Sequence, residues 1–310
     1  MLLAAGRGER MEPLSTWIAK PALDVLGDPL LASSLRALVG AGVERPVVNL
    51  HRHPDQVARA ARRVLPGRRA VRFSWEPRLL GGAGGLAAAR RHFGDGPVLV
   101  ANADVWAALD LSPLMAVGGD QIVLGLLPHP DPARWNSVVL GEDDRVEAIL
   151  PAGTPTERPR FHFTGFQAVG AGVIASLPEA PCEMTSVWHS RRAERALVGR
   201  VLNGRWAEAG TPEAYRRLVL DHLEDRSWRH PQAAVADSAV LERTAVGAGC
   251  RIGDRARLVD SIIVGGAVVG AGCRLERCIA AGPVLVPAGA WHEDALLLSG
   301  RLVALGDPNQ

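Results

Sequence analysis

Residues 240–275 read VLERTAVGAGCRIGDRARLVDSIIVGGAVVGAGCRL. Val240, Val246, Ile252, Leu258 and Val264 recur at intervals of six, and Val269 and Leu275 continue the series after a slip of one residue. Gly247, Gly253, Gly265 and Gly270 follow most of these positions directly, and Ala245, Ala256 and Ala267 fill between. An apolar residue every six, with small residues at the corners, is the hexapeptide pattern of a parallel β-helix. One coil is about three such units, so the segment holds roughly three coils. A β-sandwich would need the spacing by coincidence, and the unbroken run of sixes argues against it. The expected stack buries Val240, Val246, Ile252, Leu258 and Val264 and turns Arg251, Arg257 and Arg274 outward.

Upstream of Asp225 the pattern is different. Strand-like and helix-like segments alternate, the signature of an α/β layered fold. Strands are expected at Met1 to Ala5, Pro46 to Leu50, Ala70 to Ser74, Val98 to Ala101, Gln121 to Leu127, Phe161 to Val169 and Arg205 to Glu208. Helices are expected from the cap pair Asp28-Pro29 through Val39, from His53 to Val64, after a glycine loop Gly81–Gly85 through Arg91, from Glu194 to Leu202 and from Pro212 to Leu223. The expected organisation is an α/β domain over 1–224, a linker over 225–232 and a β-helix over 233–310.

Composition narrows the function. The 310 residues carry a net charge of +2, with 47% hydrophobic and 22% charged side chains. That describes a globular protein with large cores and gives no electrostatic case for nucleic acid. Cys182, Cys250, Cys273 and Cys278 form no CxxC pair, so they read as buried thiols in a reducing compartment rather than disulfides or a zinc site. No apolar run reaches the ~18 residues that span a bilayer, and the first residues lack a basic signal-peptide start. The expected location is the cytoplasm, away from membranes.

The only lysine is Lys20; all other long cations are arginine. An ammonium is a compact point charge and differs from a planar guanidinium where one phosphate oxygen must be met closely. It follows the loop Leu2-Leu3-Ala4-Ala5-Gly6-Arg7-Gly8-Glu9-Arg10-Met11. That loop fits neither Walker A nor the dinucleotide GxGxxG spacing, since Met11 stands where the last glycine would be. It still follows a strand, and its glycines can present backbone N–H groups to a polyphosphate, with Arg10 as a charged fork. Asp104 ends an apolar strand, so it emerges at the carboxyl edge of the sheet, where open α/β folds bind ligands. A carboxylate beside phosphates there is a natural Mg²⁺ ligand.

Taken together, LLAAGRGERMEPLSTWIAKPALDVLGDPLL (2–31), EPRLLGGAGGL (76–86), VLVANADVW (98–106), FHFTGFQAV (161–169) and GRWAEAGTPEAYRRL (204–218) resemble the sugar-phosphate nucleotidylyltransferases. They occur in that family's order and at about its spacing. The hexapeptide tail resembles the left-handed β-helix that many members carry, and the nearest branches are the mannose-1-phosphate guanylyltransferase-like and N-acetylmuramate-1-phosphate uridylyltransferase-like ones. The resemblance implies a Rossmann-like mixed sheet followed by a short left-handed β-helix. It implies Arg10, Lys20 and Asp104 as catalytic groups. Leu3, Ala4, Ala5, Gly6, Gly8, Gly81, Gly82 and Gly84 would bind the nucleotide. Asn102, Thr164 and Gly165 would line the sugar pocket, and Asp104 and Glu208 would share Mg²⁺. The implied substrates are an NTP and a sugar-1-phosphate, GDP-mannose-type favoured and UDP- or dTDP-sugars open. The implied assembly is a homo-oligomer built through the β-helix.

Four positions depart from the family pattern. Glu208 stands for the usual Asp, Ala19 for Pro, Glu12 for Arg, and Ile149-Leu150-Pro151 for a Glu-Lys-Pro that often supplies a lysine. Arg145, Arg158 and Arg160 lie near enough in sequence to replace that lysine. These departures leave a second reading, a catalytically weak or inactive paralogue that binds nucleotide sugars as a regulatory subunit. A third, an acyltransferase-like β-helix, would need more coils and a catalytic His, and His292 reads as a surface or turn residue.

Overall fold

A computed structural model describes residues 1–66 and 71–305. It divides into two compact units, one of residues 1–7 and 31–206, the other of residues 8–30 and 207–310.

The first unit is built on a nine-stranded mixed sheet. Arg72–Trp75, Val47–Leu50, Leu2–Leu3 and Val98–Asn102 lie side by side in that order, all parallel. The antiparallel strand Phe161–Val169 follows. It pairs onward with Ile122–Pro128, which carries Leu197–Val201 in parallel, and its first residue meets the hairpin Ser137–Leu140/Val146–Leu150. The central strands are mostly apolar, with Asn49 and Asn102 as exceptions, as parallel strands covered on both faces require. Val98, Val100, Ile122, Leu124, Leu126, Val169, Leu86 and Trp188 share one core.

Three sequence expectations change here. Asp28–Pro29 opens no helix: it pairs with Asp24–Val25 in a hairpin whose turn residues Leu26 and Gly27 are both left-handed (φ 53° and 93°), and the helix is Leu31–Gly40. The helix expected over Glu194 to Leu202 is Met184–Ala193 instead; Arg195 then turns left-handed (φ 57°) and Leu197–Val201 is a strand. Gly81–Gly85 is not a loop but the first turn and more of the helix Gly81–Ala89. The strand expected from Ala70 begins at Arg72, and Ala70 lies outside the described residues.

The second unit is a left-handed parallel β-helix with the helix Pro212–Leu223 and residues 8–30. Ala245 pairs with Ile262, Arg251 with Val268 and Arg257 with Arg274, so each coil is 17 residues long. The stack therefore steps six, six and five. Val246, Ile252, Leu258, Ile263, Val269, Leu275, Ala280, Val286 and Leu297 fill it, with Val235 and Leu241 packed against its first coil. Ile263, not Val264, takes the fifth expected place, and Val240 is 47% exposed where Leu241 turns in. The first strand, Trp228–Arg229, lies in the stretch expected to be a linker, and Arg301–Ala304 closes the last coil by antiparallel pairing. Three cysteines are corner residues of this helix. Cys250 and Cys273 occupy alanine-like core positions, and Cys278 continues the column Thr244, Ser261 at a spacing of 17. All are free thiols. Among the described residues no helix is long and apolar enough to cross a membrane.

Candidate active site

The parallel strands run third, second, first, fourth in chain order, so the order reverses between Leu2–Leu3 and Val98–Asn102. Such a switch point opens a crevice at the carboxyl ends of the strands. Leu3 is in register with Asn102, and the Ala103 N–H donates to the Leu3 carbonyl at 3.0 Å. The two segments thus leave the sheet together, one as Ala4, Ala5, Gly6 and Arg7, the other after Asn102 as Ala103-Asp104. Asp104 is half-buried in the turn before Val105–Leu109. A Cβ at Gly165 (φ 86°) would stand 3.1 Å from the Asn102 Cβ, so only glycine lets that strand approach. A cavity of about 390 Å³ lined by Val47, His92, Phe93, Val98 and Leu114 opens at the opposite, amino end of these strands and is a different place.

A polar relay that the sequence reading missed fixes the first loop. The Ala4 N–H donates to Asn49 Oδ1 at 2.6 Å, and Asn49 Nδ2 donates to Glu76 Oε1 at 2.8 Å. The other Glu76 oxygen accepts the Leu80 N–H at 3.1 Å, ahead of the helix Gly81–Ala89. Glu76 is fully buried, and buried carboxylates of this kind stand only when hydrogen-bonded. The signal was an asparagine inside the apolar strand Val47–Leu50.

The glycines after it serve packing. A Cβ would stand 2.6 Å from the Cys182 oxygen at Gly81, 2.8 Å from Met184 Cγ at Gly82 and 2.6 Å from the Ala180 oxygen at Gly84. The N–H groups of Ala83 and Gly84 both donate to the Cys182 carbonyl (3.0 and 3.1 Å), and the Gly82 N–H faces Glu183 Oε2. At this helix start, where Gly81, Gly82 and Gly84 were expected to meet the nucleotide, the Ala83 and Gly84 N–H groups are thus satisfied within the chain. Thr164 departs from expectation too. It is fully buried, and its hydroxyl donates to the Gly125 carbonyl at 2.8 Å. Its own carbonyl accepts Trp206 Nε1 at 2.8 Å. Trp206 then packs on His162 (4.7 Å between centroids), and His162 on Trp135 (5.2 Å), an aromatic wall at the same edge of the sheet. Burial, with His129 beside it, pulls the His162 imidazole down to about 4, so it is neutral near pH 7. Of the three arginines near the missing lysine, Arg145 pairs with Asp143 and Arg158 with Glu147, while Arg160 donates to the Thr156 carbonyl.

The second unit carries the remaining expected groups. Gly8 is left-handed (φ 66°), and Arg10 lies in the single turn Glu9–Met11 that follows. Lys20 is only 9% exposed, in the turn Lys20–Ala22. Its Cβ lies 3.6 Å from where a Gly8 Cβ would stand, and Ser15 Oγ donates to the Gly8 carbonyl at 3.0 Å. Glu12 accepts the Thr16 hydroxyl at 2.6 Å, a local use for that acid. Arg10 Nη2 donates to Glu208 Oε1 at 2.7 Å, over Gly210. Glu208 therefore faces a guanidinium, a contact that a bound metal would have to displace. Mg²⁺ needs only one or two carboxylates when phosphate oxygens complete its shell. Among the described residues no group of three or more His, Cys, Asp or Glu side chains could hold a metal.

The sequence profile described as "Nucleotidyl transferase" matches residues 1–151. The N-acetylmuramate alpha-1-phosphate uridylyltransferase of Caulobacter vibrioides is 30% identical over 69% of this chain and 92% of its own length. The chain belongs to the nucleotidyl transferase family. The mannose-1-phosphate guanylyltransferase of Mycobacterium tuberculosis is 28% identical over 83% of this chain and 77% of its own length. Among solved structures, HddC from Yersinia pseudotuberculosis superposes with a TM-score of 0.59 at 21% identity, covering 71% of this chain and 97% of that one, a likeness of fold.

Proposed function

We propose that this nucleotidyl transferase moves a nucleoside monophosphate from an NTP to a sugar-1-phosphate and releases pyrophosphate. The observation that carries the reading is the switch point, where the Ala4–Arg7 stretch and Asp104 leave adjacent parallel strands at the carboxyl edge. The names borne by the family relatives support it.

The sugar-1-phosphate oxygen attacks the α-phosphorus, the bond to the bridging oxygen breaks, and pyrophosphate leaves with that electron pair. Little covalent chemistry is asked of the protein; it must align two anions and neutralise charge. Backbone groups from Leu3 through Gly6, and Gly8, receive the phosphates. Arg10 and Lys20 supply fixed positive charge. Asp104 would hold Mg²⁺, which when bound screens the phosphate oxygens and polarises the phosphorus. Asn102 and Gly165 border the sugar, and the neutral His162 with Trp206 and Trp135 offers it an apolar face.

A guanosine donor and a mannose-type acceptor are favoured. That preference rests on shared length alone: guanylyltransferase relatives match 82–83% of the chain and the uridylyltransferases 68–69%. A panel of nucleoside triphosphates against sugar-1-phosphates, read by pyrophosphate release, tests this. GTP with mannose-1-phosphate should give the highest kcat/KM. A uridine or thymidine pair ahead of it would move the assignment, and release with no pair would end the reading.

A further inference from the structure

The β-helix has three faces of unequal character. On the face of Ala245, Ile262, Ile279 and Leu296, the side chains alternating with the interior stack are 0–3% exposed. The corresponding outward positions on the other two faces include Leu285 (69%), Trp291 (64%) and Val240 (47%). Among the described residues only the first face is covered. The helix Pro212–Leu223 packs on it, with Arg216 donating to the Asp260 carbonyl at 3.3 Å.

Residues 8–30 pack within the same unit. Gly265 and Gly282, one coil apart, are left-handed corners (φ 69° and 70°). A Cβ at Gly265 would stand 2.9 Å from Ile18 Cδ1, and one at Gly282 would stand 3.4 Å from Trp17 Cβ. The glycines thus answer two demands, the turn and the seat. Further on, the buried Tyr215 hydroxyl donates to the Asp24 carbonyl, and Trp228 lies 3.1 Å from a Gly27 Cβ position. The attachments at 17–18, 24 and 27 bracket Lys20, whose stem packs over Gly8 and Ser15.

We infer that the β-helix positions two cations offered to the triphosphate: its Gly265–Gly282 corner seats Ile18 and Trp17 and thereby fixes Lys20 and Arg10. Ile18 and Trp17 are positioning residues. The inference rests on the nucleotidyl-transfer reading for its chemistry and on the second unit's own packing for its geometry.

The test uses the full chain carrying Ile18→Ala, with Leu285→Ala on an uncovered face as control. Loss of the seat should raise the KM for the NTP about tenfold and lower kcat, because small misplacements of charge near a reacting phosphate are costly. The KM for the sugar-1-phosphate should stay within about twofold, since that site belongs to other residues. Trypsin should cut after Arg10 about fivefold faster or more, as a loosened segment opens more often. Leu285→Ala should match the wild type in every readout. If Ile18→Ala does not accumulate folded, Ile18→Val and Trp17→Phe are compared by the same readouts, and shifts in the expected direction support the seat. Wild-type cleavage and wild-type NTP KM in folded seat variants would overturn it. Should the wild type turn over no NTP and sugar-1-phosphate pair, the functional reading fails, and the trypsin rates still decide the seating.

Discussion

The glycine-rich opening of this chain is shared between two folding units. Residues 1–7 belong to the sheet, where Leu3 pairs with Asn102 and leads to Asp104. Residues 8–30 belong to the β-helix unit, where Ile18 and Trp17 rest against Gly265 and Gly282 and lead to Lys20. One contiguous motif therefore begins on a parallel sheet and ends in a turn backed by the β-helix, where its ammonium lies. The sheet holds its groups by ladder register and the β-helix by coil corners. Proximity in sequence says which chemistry is present; it does not say which core holds it still.

The largest effects should come from the two groups that stand for the two units. Asp104→Asn should lower kcat by about a thousandfold and Lys20→Ala by about a hundredfold, with circular dichroism unchanged. Lys20→Arg should recover less than a tenth of wild-type turnover, because a fork cannot replace a point charge at a crowded phosphate. Near-normal turnover in Lys20→Arg would make the ammonium incidental, any cation at that position then sufficing.

Next comes the register of the coil. Ile263→Asp places a charge in the stack and should destabilise the β-helix by more than about 3 kcal/mol in urea unfolding. Val240→Asp, at a position the simple period of six would bury, should cost less than about 0.5 kcal/mol because it faces solvent. Equal penalties would restore the six-residue stack.

A smaller effect distinguishes the glycines of the two units. Gly84→Ala improves helix propensity, yet its Cβ would meet the Ala180 oxygen at 2.6 Å. The packing account predicts a loss of about 1–3 kcal/mol by thermal melting, against a gain of about 1 kcal/mol from propensity alone.

The smallest is a pH effect in the aromatic wall. His162 titrates near 4 in the folded chain and near 6.5 when unfolded. Between those values the unfolded state binds the extra proton, so stability is full above about pH 6.5 and falls as pH drops toward 4. Discounted for solvent reach, the loss is about 1–2 kcal/mol. His162→Phe should flatten that limb of the urea midpoint against pH, and an unchanged slope would place the titration elsewhere.

Much of this was legible in the residues. Phe161–Val169 and Pro212–Leu223 begin and end where the residues place them, the helix with proline in its first turn. The α/β-then-β-helix order is equally plain. The coil length was hidden because Ile262, Ile263 and Val264 are all buried: a face covered on its outside accepts apolar residues on both sides, and the count then reads six where the stack steps five. Arg195 concealed a strand, since a left-handed arginine leaves no compositional trace. At the site, residue types were readable and their local partners were not. Nothing in the sequence says that Glu208 meets Arg10, that Thr164 turns inward to Gly125, or that Asn49 and Glu76 tie Ala4 to the helix behind it.

The most direct test of the central claim is ³¹P NMR of the full chain with Mg²⁺, GTP and mannose-1-phosphate. The account predicts paired resonances of a nucleoside-diphosphate sugar appearing in step with one pyrophosphate per turnover, and their loss in Asp104→Asn. Accumulation of orthophosphate with GDP, or an unchanged spectrum with every triphosphate and sugar-1-phosphate pair tried, would contradict it.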